Sequence, residues 1–306
     1  YLKFFLIDLM IFYYWIAIAA ALCWAVASLV SADVTRTIGG LAFNRLRLFF
    51  VSIMLVCYTY YFNTWPTIHI EYLTIIIISG IIGIFLGDTF LFIALQKIGP
   101  RRNNILFSLA APFTVIINIL FLGKNISLIN VFGCFVVFFG VVIAIAYGNK
   151  KSSNHRWETI EGSLRIGVIL AICAALCQSI GLIMMKPILD KGADPIASAA
   201  IRTLISFILL FITFFLNYEI FNSKTNLTMK IIFQSIVSGF LGMALGMSLL
   251  LIALQKADAG IVATLSSTSP IIILFLLWII TKRIPTTGAW LGTFIAIFGT
   301  GLIFIY

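Results

Sequence analysis

The chain has 306 residues, 62% of them hydrophobic and 10% charged, with a mean hydropathy of +1.16 and a formal net charge of +10. A soluble domain carries about 25% charged residues, so this composition excludes a water-soluble globule and predicts an all-α integral membrane protein. The basic residues lie mostly in short connecting segments, where they meet anionic headgroups and set orientation; this excludes nucleic acid as a partner and makes membrane lipid one.

In chain order, Tyr1–Tyr14 is apolar but holds Lys3 and Asp8. It reads as a leader into the first span rather than a signal peptide, because no small-residue cleavage site follows. Tyr1 is not a methionine and a hydrophobic span stops at Tyr306, so both ends read as trimmed. Ten stretches reach the ~20 apolar residues needed to cross the hydrocarbon core. They are Trp15–Val34, Leu41–Phe62, Tyr72–Leu95, Asn104–Leu122, Ser127–Tyr147, Leu164–Met185, Pro195–Asn217, Met229–Leu254, Gly260–Ile280 and Thr286–Tyr306. Brief connectors such as IGPRRNN, LDKGADP and TKRIP separate them, and the longest, Gly148–Ser163, is the one linker-like segment.

That linker divides two copies of one unit. Ser79–Ile98 (SGIIGIFLGDTFLFIALQKI) returns as Ser238–Ala257 (SGFLGMALGMSLLLIALQKA), with 11 of 20 residues identical. Around it, Arg47 matches Arg202, Pro112 matches Pro270, and Gly133 and Gly140 match Gly292 and Gly299. The expected domains are residues 1–147, the linker 148–163, and residues 164–306. Five spans per copy is an odd number, so the second copy enters the membrane upside down. The predicted fold is ten transmembrane helices in two inverted five-helix repeats, the usual architecture of secondary transporters.

With the N-terminus on one side, the opposite side holds fourteen Lys and Arg against five, which argues for outward-facing termini. The five cysteines fall inside spans and read as packing residues, Cys173 and Cys177 included; no metal site and no cofactor is expected.

The run IALQKIGPRRNNILFSLAAPFTVIINILFLGKNISLINVFGCFVVFFGVVIAI resembles the EamA-type unit of the drug/metabolite transporter superfamily. Ala21–Ser28, with Trp24, resembles its first-span signature, and ALQKADAGIVATLSSTSP repeats the pattern in the second half. The resemblance implies ten spans, a central cavity, alternating access for small metabolites or drugs, and cytoplasmic termini, against the charge count. An acidic residue common after the family's fourth span is here Lys124, and Lys282 in the second half.

Asp88 is the one carboxylate well inside a span, about 10 Å along its helix from the expected end at Leu95. Its counterpart is Met247, so the fold alone does not require an acid there. Two readings stand: a substrate or proton-coupling acid, and a structural ion pair with Arg47, which enters to about 9 Å from the same side. Arg202 enters from the other side with no evident carboxylate opposite; it is read as a snorkelling or helix-end residue first and a substrate anchor second. Thr264, Ser267 and Thr268, beside Pro270, suggest a hydroxyl face against either water or a neighbouring helix. Trp24 and the matched Gln178 offer an aromatic wall and a donor–acceptor pair, and Phe92 and Met247 complete the candidate lining. Gly87, Gly246, Pro112 and Pro270 are expected to permit close crossing or bending, and Gln96 and Gln255 to cap helix ends.

The expected function is secondary transport of a small organic solute, by export or exchange, in the plasma (inner) membrane, proton-coupled if Asp88 titrates, by a monomer or homodimer. No GxxxxGK[ST] is present for direct use of ATP. A membrane enzyme acting on lipid would call for clustered carboxylates or histidines, and His69 and His155 both lie in loops, so no enzyme is expected. A channel or sensor is the other alternative.

Overall fold

The computed structural model describes residues 2–122, 127–147, 159–215, 223, 225–256 and 265–305. Among these every regular element is helical: α1 Leu2–Ile38, α2 Gly40–Tyr61, α3 Ile70–Gly80, α4 Gly87–Phe107, α5 Ala110–Leu122, α6 Leu128–Ala146, α7 Leu164–Asp190, α8 Pro195–Ile212, α9 Met229–Gly239, α10 Gly246–Lys256, α11 Ser269–Thr281 and α12 Thr287–Ile305. Seven helical runs among the described residues are long and apolar enough to cross a bilayer, and the apolar α11 and α12 are shorter. Apolar helices are what a bilayer selects, since each satisfies its backbone polar groups within itself. The chain is an integral, multi-pass membrane protein.

Several boundaries differ from the sequence expectation for identifiable reasons. α1 begins at Leu2, so the expected leader is the opening of the same helix. The third and fourth spans extend towards each other and meet at Gly99, whose φ of 79° interrupts α4. Glycine tolerates that conformation, and Pro100 behind it suits a helix's first position. The chain reverses there along α7: Gly83 lies at Gly181, Gly87 at Cys177 and Ile98 at Gly167, whereas beyond the turn Ala110 O accepts from Ser179 Oγ at 2.8 Å. A further break at Ser108–Leu109 precedes Pro112, which has no N–H to give Ser108 O; Ala111 N takes that carbonyl at 3.2 Å. An equivalent break at Ser267–Thr268 precedes Pro270.

Helix starts are capped by chain chemistry. Asp194 accepts from Ala197 N at 2.7 Å ahead of Pro195, and Ser127 and Thr228 accept from the third residue of α6 and α9. Of the linker, Thr159–Ser163 is described and is strapped down. Arg36 donates to Thr159 Oγ1 and O at 2.9 and 2.7 Å, and Glu161 N donates to Lys97 O at 2.8 Å.

Long-range packing comes in reciprocal pairs. α1 runs against α9 and α10, with Ser31 at Ser238 and Ala17 at Ala253; α7 runs against α3 and α4, with Met185 at Tyr72 and Ile76. α6 and α12 lie antiparallel with their backbones nearly touching. Asn130 Nδ2 donates to Ile303 O at one end, and Thr286 Oγ1 donates to Tyr147 O at the other. Between them a Cβ on Gly140 would strike Ala296 and one on Gly292 would strike Ala144, so only glycine admits this approach.

Candidate functional site

Two wide helical turns frame the site. Ile81–Leu86 and Phe240–Leu245 occupy matched positions of the repeat, and both are π-helical. In each the closing bond reaches back five residues, from Gly87 N to Ile82 O and from Gly246 N to Leu241 O. A π-turn inside an α-helix shifts the register of every later side chain and often marks a functional position. Asp88 follows directly after the first turn. Measured to the reversal at Gly99 rather than to Leu95, it sits roughly 16 Å along the helix, about half the hydrocarbon thickness.

Each second-span arginine crosses to the other half's π-turn. A Cβ on Gly242 would lie 3.5 Å from Arg47 Nη2, and a Cβ on Gly83 would lie 2.9 Å from Arg202 Nη2. The helices behind them are close as well: a Cβ on Gly239 would meet Val51 and the Arg47 stem, and one on Gly80 the Arg202 backbone at 2.9 Å. Side chains larger than glycine would close both crossings.

The two arginines differ in what they touch. Arg47 Nη1 donates to Asp88 Oδ2 at 2.8 Å, with the side chains 8% and 15% exposed. Its guanidinium also lies 4.9 Å from the centre of the Phe92 ring, which Phe43 braces edge-on. The structural pair read from the sequence is therefore formed. The Arg202 guanidinium makes no hydrogen bond among the described residues; its Nε is buried and unpartnered, and the carboxylate whose charge reaches it is Asp88. The group is Arg47, Asp88 and Arg202, two cations and one anion, with Phe92 beneath.

The other candidates divide. Trp24 donates its indole N–H to Gly242 O at 2.9 Å and lies 2.8 Å from where a Gly246 Cβ would be, so it fastens α1 to the second π-turn. Gln178 backs onto Gly87, whose Cβ would lie 3.8 Å from Gln178 N. Gln96 Oε1 accepts from Gly40 N at 2.9 Å, capping α2, and Met247 is half-buried beside Gly246. Pro112 and Pro270 are buried. Thr268 Oγ1 donates to Leu265 O at 2.6 Å, Ser267 is also engaged, and α11 beyond them packs on Ala25 and Leu29 of α1. Thr264, Lys124 and the connector at residues 257–264 lie outside the described residues.

The sequence reading passed over Gly83 and Gly242, the two glycines under the guanidinium groups, and the Ser31–Ser238 hydroxyl bridge at 2.6 Å between the halves. A signal was present: Ser79, Gly80 and Gly83 recur at Ser238, Gly239 and Gly242.

Comparison with known proteins agrees with this architecture. The model of the EamA-like transporter family matches the chain twice, over residues 11–146 and 165–305. An uncharacterized transporter of Archaeoglobus fulgidus is 22% identical over 258 residues, covering 83% of this chain and 84% of its own. One solved crystal structure superposes with a TM-score of 0.68 at 14% identity, over 96% of each chain, which is a likeness of fold.

Proposed function

Because the chain belongs to the EamA-like transporter family, we propose that it is a secondary transporter moving a small organic metabolite or drug by alternating access, in export or exchange. Its architecture in this reading is ten spans in two inverted repeats, residues 1–147 and 164–306, joined by 148–163, in the plasma (inner) membrane. The antiparallel contact of α6 with α12, which hold matched glycines, supports the inversion. So does the reciprocity of the seam, where each half's first span lies on the other's third.

The observation that carries the reading is the charged group in that seam. Two arginines and one aspartate at mid-span, each arginine lying against the other half's π-turn, are costly in a bilayer and by default mark a solute path. Rocking of one half on the other would slide Arg47 and Arg202 over the π-turn glycines and expose the group to each side in turn. Chemistry enters only as binding and release, so no enzymatic step is assigned. Protonation of Asp88 would release Arg47 and is the natural point for a proton gradient to act.

Cysteine labelling tests the access cycle. In a background with the five native cysteines replaced, Gln178→Cys should react with a membrane-impermeant maleimide applied from either side, each side at partial rate. Full reaction from both sides at once indicates a channel, and no reaction from either side removes the seam as a path. For coupling, gradient-driven counterflow is compared in wild type and Asp88→Asn; equal dependence on ΔpH removes Asp88 from that role.

A further inference from the structure

The repeat supplies two arginines and one carboxylate. Arg47 and Arg202 stand at matched positions of the second spans, and their guanidinium groups lie over matched glycines, Gly242 and Gly83. In the first half the third span places Asp88 against its arginine, whereas the matched position of the second half is Met247. The Arg202 guanidinium has no hydrogen-bonded partner among the described residues, with Nε buried, and Asp88 is already engaged by Arg47 at 2.8 Å. The three groups sum to one positive charge.

We propose that Arg202 is the anion anchor of the solute site, and that the solute is a singly charged organic anion whose carboxylate or phosphate takes at Arg202 the part that Asp88 takes at Arg47, the residue matched to Asp88 being Met247. The inference rests on the reading of the seam as the solute path. A guanidinium set between Gly83 and Gly181 calls for a counter-charge, and an unfilled fork of donors suits a planar or tetrahedral oxyanion. One net charge fits a monoanion: a cation is repelled by the sum, and a dianion is left half-compensated. Asp88, engaged by Arg47, is not the primary contact for a substrate amine in this arrangement.

The test uses the whole protein purified in nanodiscs, with thermal stabilisation titrated against lactate and benzoate as carboxylates, glycerol 3-phosphate as a phosphate, and tetraphenylphosphonium as a cation. At least one anion should stabilise wild type, with the carboxylates and glycerol 3-phosphate separating the two oxyanion classes. Arg202→Gln should weaken that anion by about ten- to a hundred-fold, the size of a lost charged hydrogen bond, and Arg202→Lys by less. Should Arg202→Gln fail to fold, Met247→Glu keeps the arginine and supplies the missing carboxylate, and it too should abolish the effect. Stabilisation by tetraphenylphosphonium alone, by no anion, or by an anion whose effect survives Arg202→Gln or Met247→Glu overturns the inference. If Gln178→Cys still labels from both sides in turn, the failure belongs to the anion and not to the path.

Discussion

Arg47 and Arg202 hold matched places in the two second spans and keep different company. Both cross to the opposite half and lie over a π-turn glycine, yet Arg47 meets a carboxylate and a phenyl ring while the Arg202 guanidinium hydrogen-bonds to nothing among the described residues. The α6–α12 contact is the opposite case. There Gly133 faces Gly299 and Gly140 faces Gly292, and the two ends are close to interchangeable. Backbone packing makes the same demand of both copies, so the copies stay equivalent in it. The carboxylate is placed in one copy only, and the difference between the halves is concentrated at mid-span.

The contrast breaks first at Asp88. Asp88→Ala strands the Arg47 guanidinium in a mostly buried site, a loss of about 3–5 kcal/mol. Met247→Ala removes only apolar contact at the matched position and should cost less. Thermal unfolding in detergent measures both. The paired replacement Arg47→Met with Asp88→Leu should recover most of the stability, because two neutral side chains leave no buried charge. Equal losses at Asp88 and Met247 would mean that the asymmetry of the seam carries no energetic weight.

Symmetric behaviour is expected where the surroundings are symmetric. Gly140→Ala and Gly292→Ala each push a methyl into the facing backbone, costing about 1–3 kcal/mol apiece. Their effects should be nearly equal and less than additive when combined, since one forced separation of α6 and α12 relieves both. Clearly unequal losses would show that the two helix faces at this crossing are not equivalent.

Much of this was legible because the copies still share residues. The repeated SG–G–LG string located both third spans, and counting residues into helices brought Arg47 and Asp88 to similar depth, where they meet. What escaped depends on geometry that periodicity does not encode. A π-turn leaves the apolar pattern of IIGIFL looking like any helix. Trp24 looks like a cavity wall in sequence, but its partner Gly242 is more than two hundred residues away. Three residues in the charge count illustrate a related point. Arg36, Arg101 and Arg102 were counted as headgroup-facing, yet they are 7%, 3% and 2% exposed and hydrogen-bonded inside the protein.

Gly99 tests the first-half reversal at a smaller scale. At φ 79° and ψ 168° the backbone lies in a region open essentially to glycine, so Gly99→Ala should destabilise by about 1–3 kcal/mol from backbone strain. An alanine variant as stable as wild type would mean that the chain turns with another backbone shape there.

The finest difference between the halves is at Trp24 and Gln178. Trp24→Phe keeps the ring but removes the donor to Gly242 O, for an expected loss of about 1 kcal/mol. Gln178 makes no side-chain hydrogen bond among the described residues, so Gln178→Met should stay within about 0.5 kcal/mol. Gly246→Ala adds a methyl 2.8 Å from the indole nitrogen, and the smaller ring of Trp24→Phe gives that methyl room. The two changes should therefore couple favourably in a double-mutant cycle. Strict additivity would place the indole elsewhere, and with it the fastening of α1 to the second π-turn would be lost.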